Sequence, residues 1–158
     1  HQVVDCMTAV NHALTGTLIG LATGQPLIAL PAALASHFVC DALPHYGSLL
    51  PDEVLLKTKG YQRYLMAEAA ICFGIVLTLA ILQPVYWLLA AICAFVAASP
   101  DLLSIDRYIK TRRGQSWRAK GYFKFAIGIQ WFGRPIGAVV EVTWLIAMII
   151  LIVQFLRY

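Results

Sequence analysis

Apolar runs broken by short polar joints dominate the chain. Five runs stand out, at residues 8–23, 26–43, 61–82, 85–98 and 135–155. Each is too long for a strand and reads as a helix. The first two are near the short limit for crossing a bilayer. Gly24-Gln25-Pro26 and Gln83-Pro84 are tight turns, so the first four runs are expected as two helical hairpins. Pro31 is expected either to kink the second helix or to sit in its first turns. Gly16, Gly20 and Gly24 recur every fourth residue, a pattern that lets membrane helices approach closely.

The joints differ in character. Residues 44–60 form a polar loop with Asp52, Glu53, Lys57 and Lys59. Residues 105–120 are strongly basic, through Arg107, Lys110, Arg112, Arg113, Arg118 and Lys120. Residues 117–132 interleave aromatic rings with Lys120 and Lys124, the pattern of an amphipathic segment at head-group depth. An internal echo is visible: aligned on the two Gln-Pro turns, Asp41-Ala42-Leu43 falls opposite Ser99-Pro100-Asp101.

Composition turns this pattern into a fold class. The chain is 60% hydrophobic and 13% charged over 158 residues, with a mean hydropathy of +0.74. Soluble domains carry about 25% charged residues, and a water-soluble core of this size cannot hide so much apolar surface. The expectation is an all-α polytopic membrane bundle of about five transmembrane helices plus the interfacial segment, in one domain over residues 1–158. The formal net charge of +4 reads as loop charge that sets orientation, not as a nucleic-acid signal. Nearly all Lys and Arg fall on the side of the loops after the second and fourth helices. The positive-inside rule makes that side, and the N-terminus, cytoplasmic. Four cysteines (Cys6, Cys40, Cys72 and Cys93) form no CxxC pair and imply no disulfide framework. No cleavable signal peptide is expected. Met7 is a candidate initiator, which would make residues 1–6 an extension and leave His1 and Asp5 without a role.

Chemistry concentrates where the second run closes, in Ser36-His37-Phe38-Val39-Cys40-Asp41-Ala42-Leu43-Pro44-His45. His37 and Asp41 are four apart and share a helix face. Pro44 tends to end the helix and lets His45 turn back toward that face. Imidazole, carboxylate and imidazole form a first-row metal set, with zinc as the default ion. His12 opens the first helix and Asp101 closes the fourth. At 1.5 Å per residue these groups lie roughly 16–28 Å from the far-side turns, all in the same half of the bundle. Glu68 and Glu141 each lie about two turns inside their helices from that same side. Ionisable groups at such depth are costly unless paired or liganded, so they are expected to face the bundle interior.

The candidate metal ligands are therefore His12, His37, Asp41, His45 and Asp101. Asp101 or Glu68 is the candidate general base. Each residue has a plainer reading. His12 can be an interfacial polar residue, His37 with Asp41 a hydrogen bond locking two helices, His45 a loop residue and Asp101 a helix-end carboxylate. Glu68 and Glu141 suit interhelical hydrogen bonding as well as ligation.

Asn11-His12-Ala13-Leu14-Thr15-Gly16, the block Ser36-His37-x-x-x-Asp41-x-x-Pro44-His45, and Ser99-Pro100-Asp101 together resemble the bacterial inner-membrane metal-dependent hydrolases. The HxxxD spacing is also similar to that of zinc-dependent phospholipase C, where such a helix supplies zinc ligands. The resemblance covers roughly the first hundred residues, and the chain lacks the His-Arg-x-x-Thr-His-Ser element of the wider group. It implies a multi-pass inner-membrane hydrolase with a divalent metal. Such an ion lowers the pKa of a bound water and polarises an ester or phosphoryl oxygen. The depth of the cluster suits an amphipathic ester or phosphoester, such as a phospholipid, at the cytoplasmic leaflet. Two other classes stay open. One is a non-enzymatic subunit that packs against partner membrane subunits, with a structural polar cluster. The other is an ion or proton pathway, disfavoured because the far half of the bundle offers few polar groups.

Overall fold

The computed structural model describes residues 7–156, so the expectations for His1, Asp5 and Cys6 lie outside the described residues. Among those residues the secondary structure is helical apart from one isolated bridge between His45 and Gly133.

Helix α1 (Ala9–Thr23) starts at Thr8, whose hydroxyl accepts the Asn11 N–H at 3.4 Å. It stops at Gly24, where φ of 62° suits glycine and the N–H reaches back to Gly20 O at 3.3 Å. Pro26 then opens α2 (Pro26–Asp41) at its first turn, where the missing N–H costs nothing. Pro31 is taken up inside α2 rather than ending it. The second hairpin joins α4 (Lys59–Leu82) to α5 (Trp87–Leu102) through Gln83, also left-handed at φ 45°. A short helix, α3 (Asp52–Leu55), lies in the polar loop between the hairpins.

Three stretches are long and apolar enough to cross a membrane: Lys59–Leu82, Trp87–Arg112 and Pro135–Leu156. These mark the chain as a membrane protein by length and composition. The expected five spans are therefore met only in part. Helix α2 is apolar but short, and the 15 residues of α1 extend only about 22 Å, against a hydrocarbon core of about 30 Å.

The role of α1 explains its length. Residues 10–17 are buried without interruption, and only the last turn, at Ala22 and Thr23, is exposed. It packs against α2, α4, α5 and α8 (Ala138–Leu156) and forms the centre of the bundle. By contrast, α4 buries only Leu79 and turns Met66, Phe73 and Ile81 outward. The glycine pattern of α1 sets its closest approach. A Cβ on Gly20 would lie 2.5 Å from Ala90 Cα, and one on Gly16 would strike the Cys93 carbonyl and sit 2.8 Å from Ala97 Cβ. Gly16 and Gly20 thus press on the small-residue stripe Ala90, Cys93 and Ala97 of α5, while Gly24 serves the turn instead.

The fourth helix departs from expectation. It does not end at residue 98 but runs through Pro100 to Leu102, followed after two residues by α6 (Ile105–Arg112). Proline lacks the N–H that would bond the carbonyl four residues back. Here the Ser99 hydroxyl donates to that carbonyl, Val96 O, at 2.9 Å, and the helix continues. Within 117–132 only α7 (Tyr122–Ile129) is helical. The chain then crosses the loop after α2: His45 N–H donates to Phe132 O at 3.2 Å and Arg134 N–H to His45 O at 3.3 Å. Gly47 and Gly137 permit this crossing, since a Cβ on either would strike backbone of the opposing strand of chain. A 3-10 turn at Pro135–Gly137 leads into α8.

Candidate metal centre

Four side chains from three helices meet at one end of the bundle. His12 comes from the first turns of α1, His37 and Asp41 from the last turns of α2, and Asp101 from the end of α5. The two hairpins therefore deliver one carboxylate each, as the alignment on the Gln-Pro turns suggests. One ligand atom from each of His12, His37 and Asp101 lies within 4.8 Å of the others. His12 Nε2 is 4.0 Å from Asp101 Oδ2, and His37 Nε2 is 3.9 Å from Asp101 Oδ1. Asp41 touches both rings, with Oδ1 3.1 Å from His12 Nε2 and Oδ2 3.4 Å from His37 Nε2. The imidazoles lie against each other with centroids 4.1 Å apart, tilted by 31°.

The hydrogen-bond pattern of this group is unusual. His37 Nδ1 lies 2.9 Å from Ala97 O. A carbonyl only accepts, so Nδ1 carries the hydrogen, and in the neutral ring Nε2 keeps its lone pair. That lone pair faces the oxygens of Asp41 and Asp101, which are acceptors as well. His12 Nε2 lies 3.1 Å from Asp41 Oδ1, and neither ring nitrogen of His12 meets full hydrogen-bond geometry. The His37 Nε2 lone pair and the two carboxylates thus converge as acceptors. Their mutual repulsion calls for positive charge in the gap, either protons on the rings or a cation. The His37 arrangement, one nitrogen fixed on a backbone carbonyl and the other turned to a carboxylate pocket, is also how metal-binding histidines are oriented.

Asp41 is held from two further directions. Met7 N–H donates to Oδ1 at 3.2 Å and Gln130 Nε2 to Oδ2 at 3.1 Å. His12, His37 and Asp41 are closed off, at 0–2% exposure, while Asp101 is 23% exposed. Access to the group is therefore from the Asp101 side.

The remaining candidates lie apart from this set. His45 is buried, but its Nδ1 bonds Leu43 O at 2.8 Å, and its backbone is tied to residues 132–134. It does not join the group of converging donor atoms among the described residues. Glu68 lies on the α4 side of α1, near Tyr64 and Ala9, and also stays out of that group. The Glu141 carboxylate accepts the Tyr46 N–H at 2.9 Å, which ties α8 to the loop after α2, while its backbone carbonyl accepts from Asn11 Nδ2 of α1 at 3.2 Å. Sequence reasoning did not reach Gln130 or the Ala97 carbonyl. The carbonyl has no sequence signature. Gln130 has a faint one, as the single polar side chain between Lys124 and Arg134.

No family model, curated protein or solved structure matches the chain.

Proposed function

We propose that the chain is a membrane-embedded, metal-dependent hydrolase whose centre is built by His12, His37, Asp41 and Asp101. The observation that carries this is the convergence of two imidazole nitrogens and two carboxylates at N···O separations of 3.1–4.0 Å. Two nitrogen and two oxygen donors suit zinc. A divalent ion held there supplies Lewis acidity and an acidified water. Asp41, gripped by Met7 N–H and Gln130, keeps its oxygens aimed at the rings. Asp101, the one partly exposed carboxylate of the four, can orient or take a proton from an incoming water.

The substrate is an ester or phosphoester presented near the membrane surface, since the site opens at the end of the bundle where the basic residues lie. By the positive-inside rule that end is cytoplasmic, in an inner membrane, with the N-terminus on the same side. The resemblance of the SHxxxDxxPH block to inner-membrane metal-dependent hydrolases supports the same reading. His45 completes that block, and its role here is to pin the loop after α2.

Metal analysis of the gently purified full chain tests the proposal, together with hydrolysis of a chromogenic phosphodiester. About one zinc per chain is expected in the wild type, with both metal and activity lost in His37→Ala. Wild-type chain that is folded yet binds no divalent metal on titration contradicts it.

A further inference from the structure

Eight of the twelve Lys and Arg residues fall within 107–134, and residues 107–140 contain no Asp or Glu. In the last part of that stretch Arg118, Lys120, Lys124 and Arg134 are all exposed. None of the four forms an ion pair among the described residues. Two large rings stand among them, Phe125 at 55% exposure and Trp131 at 71%. The Trp131 N–H is already used, donating to Ala42 O at 2.8 Å, so the ring is turned outward while its polar edge is anchored on the end of α2. Exposed cations interleaved with rings, at the end of helices long enough to cross a bilayer, are complementary to anionic head groups.

The neighbouring residue points the other way. Gln130 donates to Asp41 Oδ2, inside the candidate metal centre, while Trp131 faces out. Adjacent residues of one strap thus meet the surface and the site. The strap rests on the protein through the Phe38 ring, 5.5 Å from that of Phe125, through Trp131 on Ala42, and through the crossing at His45.

We propose that residues 118–134 dock on an anionic lipid surface, and that this contact sets the metal affinity of the site through the Gln130–Asp41 hydrogen bond. The coupling rests on the metal-centre reading; the docking does not. Drawing Trp131 toward the head groups shifts Gln130 with it, and the carboxylate that lies against both imidazoles gains or loses its donor. Outer partners of this kind change metal affinity by about 10–100-fold.

The full chain in nanodiscs of phosphatidylcholine alone, or mixed with phosphatidylglycerol, allows two readouts. The first is quenching of tryptophan fluorescence by a lipid with a nitroxide head group, taken as wild type minus Trp131→Phe. More quenching is expected in the anionic membrane, with the difference abolished when Arg118, Lys120, Lys124 and Arg134 are all replaced by Gln. The second is zinc affinity by chelator competition. It is expected to differ between the two membranes by about 10-fold in wild type and to be equal in both for Gln130→Ala. Equal quenching in both membranes, or a preference that survives charge removal, overturns the docking. Trp131 protected only after native membrane extract is added also overturns it, in favour of a protein partner. Lipid preference with equal wild-type zinc affinities overturns the coupling. Wild type that binds no zinc in either membrane overturns the coupling together with the metal-centre reading, and the quenching readout still decides the docking.

Discussion

His37 is tied to Ala97 across the interface of α2 and α5 by a 2.9 Å hydrogen bond from its Nδ1 to the alanine carbonyl. This bond fixes which nitrogen faces Asp41 and Asp101, and it joins the helix that supplies Asp41 to the one that supplies Asp101. His37→Ala is expected to weaken metal binding by more than the roughly 10–100-fold that loss of an outer partner costs. Metal retention through gel filtration against a chelator checks this. His37→Gln, which keeps a polar group but no ring, is expected to fail in the same way.

The two carboxylates of the centre are expected to separate in their effects. Asp41 is 2% exposed and accepts from Met7 N–H and Gln130. Asp41→Asn turns an amide donor toward one of these donors, with an expected loss of about 1–3 kcal/mol in stability as well as metal affinity. Asp101 is 23% exposed, and Asp101→Asn is expected to lower metal affinity and activity with little change in thermal unfolding. Melting curves beside metal titrations for both variants resolve the two behaviours.

Packing of α1 on α5 depends on residues without side chains. Gly20→Val is expected to disrupt the bundle, since its first added carbon already meets Ala90 backbone and backbone cannot step aside as a flexible side chain does. Gly74 is the control. A Cβ there meets nothing within 4 Å, and Gly74→Ala in mid-helix is expected to be neutral or stabilising by up to about 1 kcal/mol. Thermal unfolding in detergent distinguishes them, with loss of folded protein for the first.

These residues also show how far the sequence was legible. Glycines spaced by four announce a close helix contact, and Gly16 and Gly20 make it. Hydrophobic runs announced helices within a few residues of their observed ends. What patterning missed was the hierarchy: α1 and α4 are comparably apolar, yet one is enclosed over its first two turns and the other is mostly exposed. Polar residues in α1 carried that signal, since Asn11, His12, Thr15 and Thr17 are all buried. In the site, HxxxD on one helix was readable because helical geometry fixes its two members. His45 was expected beside them, but Pro44 sends the chain into an extended crossing with residues 132–134, a long-range contact with no local trace. Glu68 shares the depth of the centre but not its side of α1, and depth alone cannot reveal azimuth.

Ser99 stands in for the donor that Pro100 lacks, giving its hydroxyl to Val96 O. This bond carries α5 through to Asp101. Ser99→Ala is expected to cost about 1 kcal/mol in stability and, by loosening the last turn, to lower metal affinity. Ser99→Thr keeps the hydroxyl and is expected to restore most of both. A metal titration of the two variants side by side shows whether the hydroxyl or the residue's size is responsible.

The most direct measurement is X-ray absorption at the zinc edge on full-length protein in lipid, comparing wild type with His12→Ala and His37→Ala. Two imidazole nitrogens at about 2.0–2.1 Å with oxygen donors completing the shell, and one imidazole fewer in each variant, is the expected result. A zinc shell without imidazole, or one that neither substitution alters, contradicts a centre shared by α1, α2 and α5.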